Sequence, residues 1–261
     1  MSAVDKPAPA VLVTGGTRGI GAGIARGFLR SGARVLVCGR AEPAELPSAG
    51  GRTAVFTRAD VRDPEQAAAA VQRAVEELGR LDVVVHNAGG SPYASAATAS
   101  PRFHAKVIEL NLIAPLHVAQ AANAVMQRQA GEKGGGGSII MIGSVSGTRP
   151  TPGAAAYGAA KAGLHHLVTS LAIEWGPAVR INCVVPGFVA TEAVGEQYGD
   201  AATVAAVTAM VPLRRFATPD DVAEACLFLA SAGASYVSGT CLTLHGGGEP
   251  PAFLSTGIGA T

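Results

Sequence analysis

The sequence predicts an α/β fold: a doubly wound, seven-stranded, mainly parallel sheet with helices on both faces. Three observations lead there. Short, nearly continuous apolar runs recur along the chain, as strands covered on both faces require, whereas half-solvated strands would alternate. Longer Ala-rich segments of helical period separate these runs, which is the rhythm of repeated β-α-β units. Glycine is abundant, 34 of 261 residues, and several sit where a strand would turn sharply into a helix.

Taken in order, strands are expected at 10–14, 34–39, 53–58, 81–86, 138–143, 179–185 and 240–244. Helices are expected at 18–31, 64–78, 101–129, 154–175 and 219–231. Asp63-Pro64-Glu65 and Thr218-Pro219-Asp220 each set a capping side chain ahead of a proline at the first helical position. The stretch 40–52, rich in Pro, Ala and Gly, reads as loop, and Gly134 to Gly137 as a flexible connector. No linker divides the chain, so residues 1–261 are expected to form one domain. The segment 190–216 follows a strand end with mixed apolar and polar residues and is expected to act as a lid. Residues 246–261 are expected to form a tail without strong pattern.

Composition removes several function classes. With 48% hydrophobic and 15% charged residues the chain belongs with compact globular proteins. A net charge of +1 creates no field that would steer it to nucleic acid or an anionic membrane. The four cysteines, Cys38, Cys183, Cys226 and Cys241, are scattered without metal-ligand spacing. They read as small buried hydrophobes in a reducing compartment, and no metal site is expected. The N-terminal MSAVDKPAPA has no basic region leading into an apolar stretch, and no run of about 18 apolar residues occurs. A cytoplasmic protein without a membrane partner is the expectation.

The first strand runs into Thr14-Gly15-Gly16-Thr17-Arg18-Gly19-Ile20-Gly21, where helical periodicity begins. A strand, a glycine turn and a helix in this order let a pyrophosphate rest on the N–H groups of the helix N-terminus. Gly15, Thr17, Arg18, Gly19, Ile20 and Gly21 are its expected contacts. In dinucleotide folds the second strand usually ends in an acid that holds the ribose 2′-hydroxyl of NAD. Here that strand ends Val37-Cys38-Gly39-Arg40. A planar guanidinium suits the 2′-phosphate of NADP, and Arg18 can add a second cation. NADP(H) is therefore the expected cofactor; NAD(H) stays open, because Glu42 or Glu45 could fold back to the ribose.

After the strand ending at Gly143 stands Ser144, and thirteen residues on Tyr157 opens a helix with Lys161 one turn later. The i, i+4 spacing puts phenol and ammonium on one helical face. A free Tyr, with a pKa of about 10, is a poor base at neutral pH, and a neighbouring cation favours its phenolate. Ser144 can donate to the oxygen on which charge develops. Alone, Tyr-x-x-x-Lys is a common surface pair; its weight comes from the glycine turn and the upstream serine.

With these residues in place, the sequence resembles the short-chain dehydrogenase/reductase family over residues 9–248. The elements that carry the likeness are Thr14-Gly15-x-x-x-Gly19-Ile20-Gly21, Asp60-Val61, Asn87-Ala88-Gly89, Asn111, Ser144, Tyr157-x-x-x-Lys161 and Pro186-Gly187-x-x-x-Thr191. The resemblance implies a Rossmann-type NAD(P)-binding domain with Tyr157 as general acid/base and Ser144 as the carbonyl-orienting donor. It implies that Lys161 tunes Tyr157 and binds ribose, and that Asn111 holds a relay water. Asp60, beside Val61, would accept from the adenine amino group, and Asn87-Ala88-Gly89 would pack beside the adenine ribose. Pro186 and Gly187 would lie along the nicotinamide, with the Val189 backbone on its carboxamide and Thr191 near the phosphates. His86 replaces the family's usual Asn and is expected to be structural.

The expected activity is hydride transfer between NADP(H) and a carbonyl or secondary alcohol. A nucleotide-sugar epimerase or dehydratase and a non-catalytic dinucleotide-binding regulator are the other readings; the intact Ser144, Tyr157 and Lys161 set disfavours the second. The lid carries Phe188, Val189, Ala193, Val194, Val204, Val207, Met210 and Val211, which favours a small or medium hydrophobic substrate. A carrier-linked 3-oxoacyl substrate would need a basic docking surface, and Trp175-Gly176-Pro177-Ala178 offers none. A homotetramer, or a homodimer, is expected because the two long helices, 101–129 and 154–175, carry apolar side chains on more than one face, among them Leu164, Leu167, Val168, Leu171 and Trp175.

Overall fold

The structure is a computed structural model and describes residues 8–133, 136–192 and 199–250. Its first half runs β1 (Ala10–Thr14), α1 (Gly19–Arg30), β2 (Arg34–Gly39), β3 (Ser48–Ala49), β4 (Arg52–Thr53), β5 (Val55–Arg58), α2 (Pro64–Leu78) and β6 (Val83–His86). The second half runs α3 (Pro101–Ile108), a π-helical turn (Glu109–Ile113), α4 (Ala114–Lys133), β7 (Gly137–Ile142), a short 3-10 turn (Val145–Gly147), α5 (Ala155–Trp175), β8 (Val179–Pro186), α6 (Ala201–Met210), α7 (Pro219–Ala230) and β9 (Cys241–Leu244).

Seven strands form one sheet in the order β5-β2-β1-β6-β7-β8-β9, and every neighbouring pair is parallel. The chain grows outward from β1 through β2 to β5, then returns to lay β6 on the other side of β1. That reversal is the switch point at which ligands of doubly wound folds bind, beyond the carboxyl ends of the strands. Alternation sends Ala10 and Leu12 of β1 to one face, with α2, α4 and α5, and Val11 and Val13 to the other, with α1 and α7. The α1–α7 contact depends on absent side chains: a Cβ on Gly23 would lie 2.2 Å from Pro219 Cβ. The expected caps are present, Asp63 accepting from Glu65 and Gln66 N–H groups and Thr218 forming a capping box with Asp221.

The structure departs from the sequence reading in four places. The stretch 40–52 contains all but the last residue of a small hairpin, β3 with β4, turned at Gly50 (φ +59°) and Gly51 (φ +71°), and its Thr53 is taken from the strand expected at 53–58. Two consecutive left-handed residues are what a two-residue hairpin of this twist requires, and Gly-Gly was its signal. The helix expected at 101–129 is interrupted by the π turn, where the Ala114 N–H reaches back five residues to the Glu109 carbonyl. The segment 190–216 contains α6, capped by Asp200 on the Thr203 N–H. The apolar residues expected to drive assembly serve the core instead: Leu164, Val168, Leu171 and Trp175 are buried, and Leu167 packs against them. Their helical periodicity looked two-faced because α5 is covered by the sheet on one side and by α3 and the π turn on another. Ala193, Val194 and residues 251–261 of the tail lie outside the described residues, as does most of the N-terminal stretch.

The switch point is held by a side chain. Thr14, fully buried at the end of β1, accepts the N–H groups of Asn87 and Ala88 on its hydroxyl, each at 3.1 Å. Valine has nearly the same shape and cannot accept, so both donors would be buried without partners. Thr14→Val is therefore expected to lose about 2–4 kcal/mol in urea unfolding, with Thr14→Ser keeping most of the stability. A valine variant as stable as the parent would show that this hydroxyl does not hold the strands together.

Candidate active site

The glycine turn has the geometry its composition implies. Gly15 (φ +61°) and Gly19 (φ +52°) occupy the left-handed region. A Cβ on Gly21 would lie 2.2 Å from the Gly15 carbonyl oxygen, so the turn closes only without one. Asn87 braces the turn by donating its amide to the Thr14 and Gly15 carbonyls at 3.2 and 3.0 Å. The α1 helix begins with Arg18 as its cap, and the Arg18 side chain does not bond to its first N–H groups. These donors face outward at the positive end of the helix dipole. A Cβ on Gly19 would lie 3.6 Å from Thr191 Cγ2, so the Pro186–Thr191 stretch lies over the same turn.

A second cluster forms where β2 and β5 end. Thr17 stands 3.5 Å from where a Gly39 Cβ would be, and the Ala59 N–H donates to the Gly39 carbonyl at 3.0 Å. This pairing sets Arg40 near Asp60. Arg40 and Arg18 are exposed, and so are Glu42 and Glu45. The Asp60 carboxylate accepts Arg62 Nε at 2.9 Å and the Arg62 backbone N–H at 3.1 Å, and pairs with Arg62 Nη2. The Arg62 hydrogen bond holds the Asp60 carboxyl below its ordinary range against desolvation, with smaller help from the Arg40 charge. Arg62 was not singled out from the sequence, although Asp-x-Arg is a spacing at which a guanidinium folds back on its own strand end. The Val61 side chain points into the core, which leaves its backbone for any ligand.

The third cluster brings together Asn111, Gly89, Lys161, Tyr157 and Ser144. Asn111 is buried in the π turn and donates to the Gly90 and Val107 carbonyls, both at 2.9 Å, while accepting the Gly90 N–H at 2.9 Å. Val107 lies four residues back, so the side chain ties the π turn to the helical turn before it. Both Asn111 amide hydrogens are thus engaged with main chain, leaving one Oδ1 lone pair. A Cβ on Gly89 would lie 2.8 Å from Asn111 Oδ1 and 3.4 Å from Lys161 Nζ. Lys161 is buried, donates to the Ile142 carbonyl at 2.8 Å, and lies 5.6 Å from the Tyr157 ring centroid. Ser144 accepts the Ser146 N–H at 3.1 Å, which leaves its own proton to donate. His86 is buried next to this cluster, and burial followed by the Lys161 charge pushes its pKa down to about 3. It stays neutral.

The wall beyond Ser144 was not read from the sequence as a site. Arg149 pairs with Glu249 at 2.8 Å and lies 5.9 Å over the Phe188 ring, which stacks on Phe216 at 5.3 Å. The two ends of the 190–216 segment are tied together there: the Ala190 N–H donates to the Ala217 carbonyl and the Ala217 N–H to the Phe188 carbonyl. Val189 and Val211 are buried, Val204 and Val207 half-buried, and Met210 exposed. No segment close to these positions announced that residue 149 would meet residue 249.

A glycine cradle at an uncapped helix end, a switch-point crevice, and an ammonium beside a phenol fit a nicotinamide dinucleotide, and together define an oxidoreductase with a Rossmann-type NAD(P) site. Comparison with known proteins agrees. A family profile described as enoyl-(acyl carrier protein) reductase matches residues 15–249. L-rhamnose 1-dehydrogenase (NAD(P)(+)) of Azotobacter vinelandii is 37% identical, with 95% of this chain and 98% of the relative covered. The 3-oxoacyl-[acyl-carrier-protein] reductase of Chlamydia muridarum is 36% identical over 91% of this chain and 96% of its own. Among solved structures, ligand-free aldohexose dehydrogenase of Thermoplasma acidophilum superposes with a TM-score of 0.83 at 30% identity, covering 92% of this chain and 93% of that one. The chain belongs to the short-chain dehydrogenase/reductase family, and it is an oxidoreductase acting on alcohol or carbonyl carbon with NAD(P). No helix among the described residues is long and apolar enough to cross a membrane.

Burial pushes the Lys161 ammonium down to about 8 from an ordinary 10.5. The unfolded chain therefore keeps a proton, between these values, that the native protein has released. The penalty for burying the charge is complete below about pH 8 and is relieved as pH rises toward 10.5. Lys161→Met carries no such penalty. In cofactor-free protein, the Tm of that variant minus the parental Tm should fall as pH increases through this window; a difference that is flat or rising would contradict the desolvated ammonium.

Proposed function

We propose that this protein is an NADP(H)-dependent carbonyl reductase or secondary-alcohol dehydrogenase in which Tyr157 is the general acid/base. The observation that carries the reading is the buried Lys161 ammonium beside the Tyr157 ring at the carboxyl edge of the sheet. When bound, the nicotinamide supplies hydride to a carbonyl carbon or accepts it from an alcohol carbon. Tyr157 gives its phenolic proton to the substrate oxygen in reduction and removes it in oxidation. Ser144 donates to the same oxygen and steadies the charge that develops there. Lys161 favours the phenolate by its charge and binds the ribose hydroxyls. Asn111 fixes the π turn and Gly89-Gly90, and the free lone pair on its Oδ1 holds the water that returns the proton.

The turn Gly15, Thr17, Arg18, Gly19, Ile20 and Gly21 holds the pyrophosphate, with Thr191 above it. Asn87-Ala88-Gly89, Asp60 and the Val61 backbone hold the adenosine end, and Pro186, Gly187 and Val189 the nicotinamide. Arg40 with Arg18 reads the 2′-phosphate, and the Arg62 clamp on Asp60 supports this preference, because the Asp60 carboxylate near Arg40 is already paired. The substrate is a small or medium hydrophobic ketone or alcohol. Stacked Phe188 and Phe216 face an Arg149 whose charge Glu249 offsets, a wall suited to an apolar neutral group. The chain acts as one domain with residues 190–216 as its lid. Homotetramer or homodimer formation belongs to the same reading, through the outer face of α5, where Ile173 is 86% exposed.

Two variants test these roles. Tyr157→Phe should lose at least about 100-fold in kcat on a carbonyl panel followed by NADPH absorbance, while binding NADPH as tightly as the parent. Retained turnover would remove Tyr157 from the chemistry. Arg40→Asp should shift the ratio of kcat/KM for NADPH over NADH toward NADH by about tenfold or more, the effect of about 1.4 kcal/mol. An unchanged ratio would assign discrimination to another residue.

A further inference from the structure

Scattered in sequence, two cysteines become neighbours in the sheet. Cys183 of β8 and Cys241 of β9 are register partners in a parallel pair. Adjacent strands lie about 4.8 Å apart, inside the Cα separation of about 4.4–6.8 Å that a disulfide spans. Both side chains leave the sheet on the same face: Cys183 is in the core with Leu164 and Val168, and Cys241 packs against that core. The Cys183 S–H is directed at the Val184 carbonyl and the Cys241 S–H at the His165 carbonyl, so neither sulfur is spent on the other. Cys183 is buried, whereas Cys241 is only partly buried, contrary to the expectation of four buried thiols. The neighbouring Cys183 thiol lowers the Cys241 thiol from its ordinary value against the desolvation that opposes it, which makes Cys241 the member of the pair that ionises more readily. Cys38 and Cys226 differ in kind, because each is buried alone and burial raises its thiol, that of Cys38 to about 12.

The pair also sits directly behind the third cluster of the site. Cys241 Sγ lies 3.9 Å from the His165 carbonyl oxygen. A Cβ on Gly143 would lie 2.8 Å from Cys183 Sγ and 2.5 Å from His165 Nε2. Gly143 precedes Ser144, and His165 is one helical turn beyond Lys161. Movement of either sulfur is felt at the backbone that positions the serine and the lysine.

We propose that Cys183 and Cys241 are a redox-active dithiol that closes to a disulfide with a low-molecular-weight disulfide as oxidant, lowering turnover. The Cys241 thiolate attacks one sulfur of the oxidant and displaces a first thiolate. Cys183 then passes its proton to a displaced thiolate, attacks Cys241 Sγ and displaces the second one. One disulfide forms in the protein, and one small disulfide is reduced to two thiols. The bond itself is independent of the catalytic roles assigned above; its effect on turnover rests on them.

The test uses the full chain incubated with oxidised glutathione, alkylated under denaturing conditions without reductant, and mapped by peptide mass. The expected result is a linked Cys183–Cys241 peptide two hydrogens lighter than the separate thiols, with Cys38 and Cys226 alkylated. Turnover should fall several-fold and return with dithiothreitol, and Cys241→Ser should show neither the link nor the fall. The Tyr157→Phe variant should form the same link, so a failure of the catalytic reading leaves this result intact. Four alkylated cysteines, or a glutathione adduct that stays on Cys241, would overturn the dithiol. A linked peptide with unchanged turnover would overturn its coupling to the site.

Discussion

Where a parallel sheet reverses its direction of growth, two strands end side by side and their connections leave in opposite directions. The main chain there is uncovered, and something must hold it open and in place. In this protein the Thr14 hydroxyl does so, accepting two N–H groups from the segment that follows β6. Asn87 returns the contact by donating to the turn that follows β1. Every binding feature is placed from this clamp. It fixes the glycine turn, the uncapped start of α1 and the Gly89-Gly90 corner on which Asn111 closes.

From that corner the chemistry follows by exclusion of side chains. Gly89 keeps the space between Asn111 and Lys161 clear, and Gly21 lets the phosphate turn close. The ammonium is buried at the cost of a lowered pKa, and the backbone carbonyl of Ile142 holds it. A group kept under such a penalty supplies a charge that water screens little, which is the form in which it acts most strongly on a neighbouring phenol. The fold tolerates this local instability because the surrounding sheet buries strands such as Val11 to Val13 and Ile139 to Met141 completely.

Much of the architecture was legible in the sequence because it rests on local signals. The seven strands of the large sheet lie within or close to the apolar runs, the capped helices start where Asp63 and Thr218 place them, and the glycine turn has the conformations its residues demand. The motif residues at positions 14 to 21, 87 to 89, 111, 144, 157 and 161 do gather at the carboxyl edge of the sheet. Other features were hidden for physical reasons. The π turn is tied by the Asn111 side chain to Gly90, a contact that only the folded chain creates. The Arg149–Glu249 pair and the Cys183–Cys241 pair join residues far apart in the chain, so no periodicity announces them. Leu164, Val168, Leu171 and Trp175 looked like assembly residues because the apolar positions of α5 face two layers of the chain's own core.

The central claim is that Tyr157, made acidic by a buried ammonium, moves the proton of a hydride-transfer reaction. The most direct measurement is a crystal structure with NADPH and an unreactive carbonyl analogue bound together. The account expects Tyr157 Oη and Ser144 Oγ to lie within about 2.6–3.2 Å of the same substrate oxygen. The substrate carbon should then face the nicotinamide, with Lys161 on the ribose. A dinucleotide bound with the Tyr157 oxygen turned away, and no room for a substrate between phenol and ring, would contradict it.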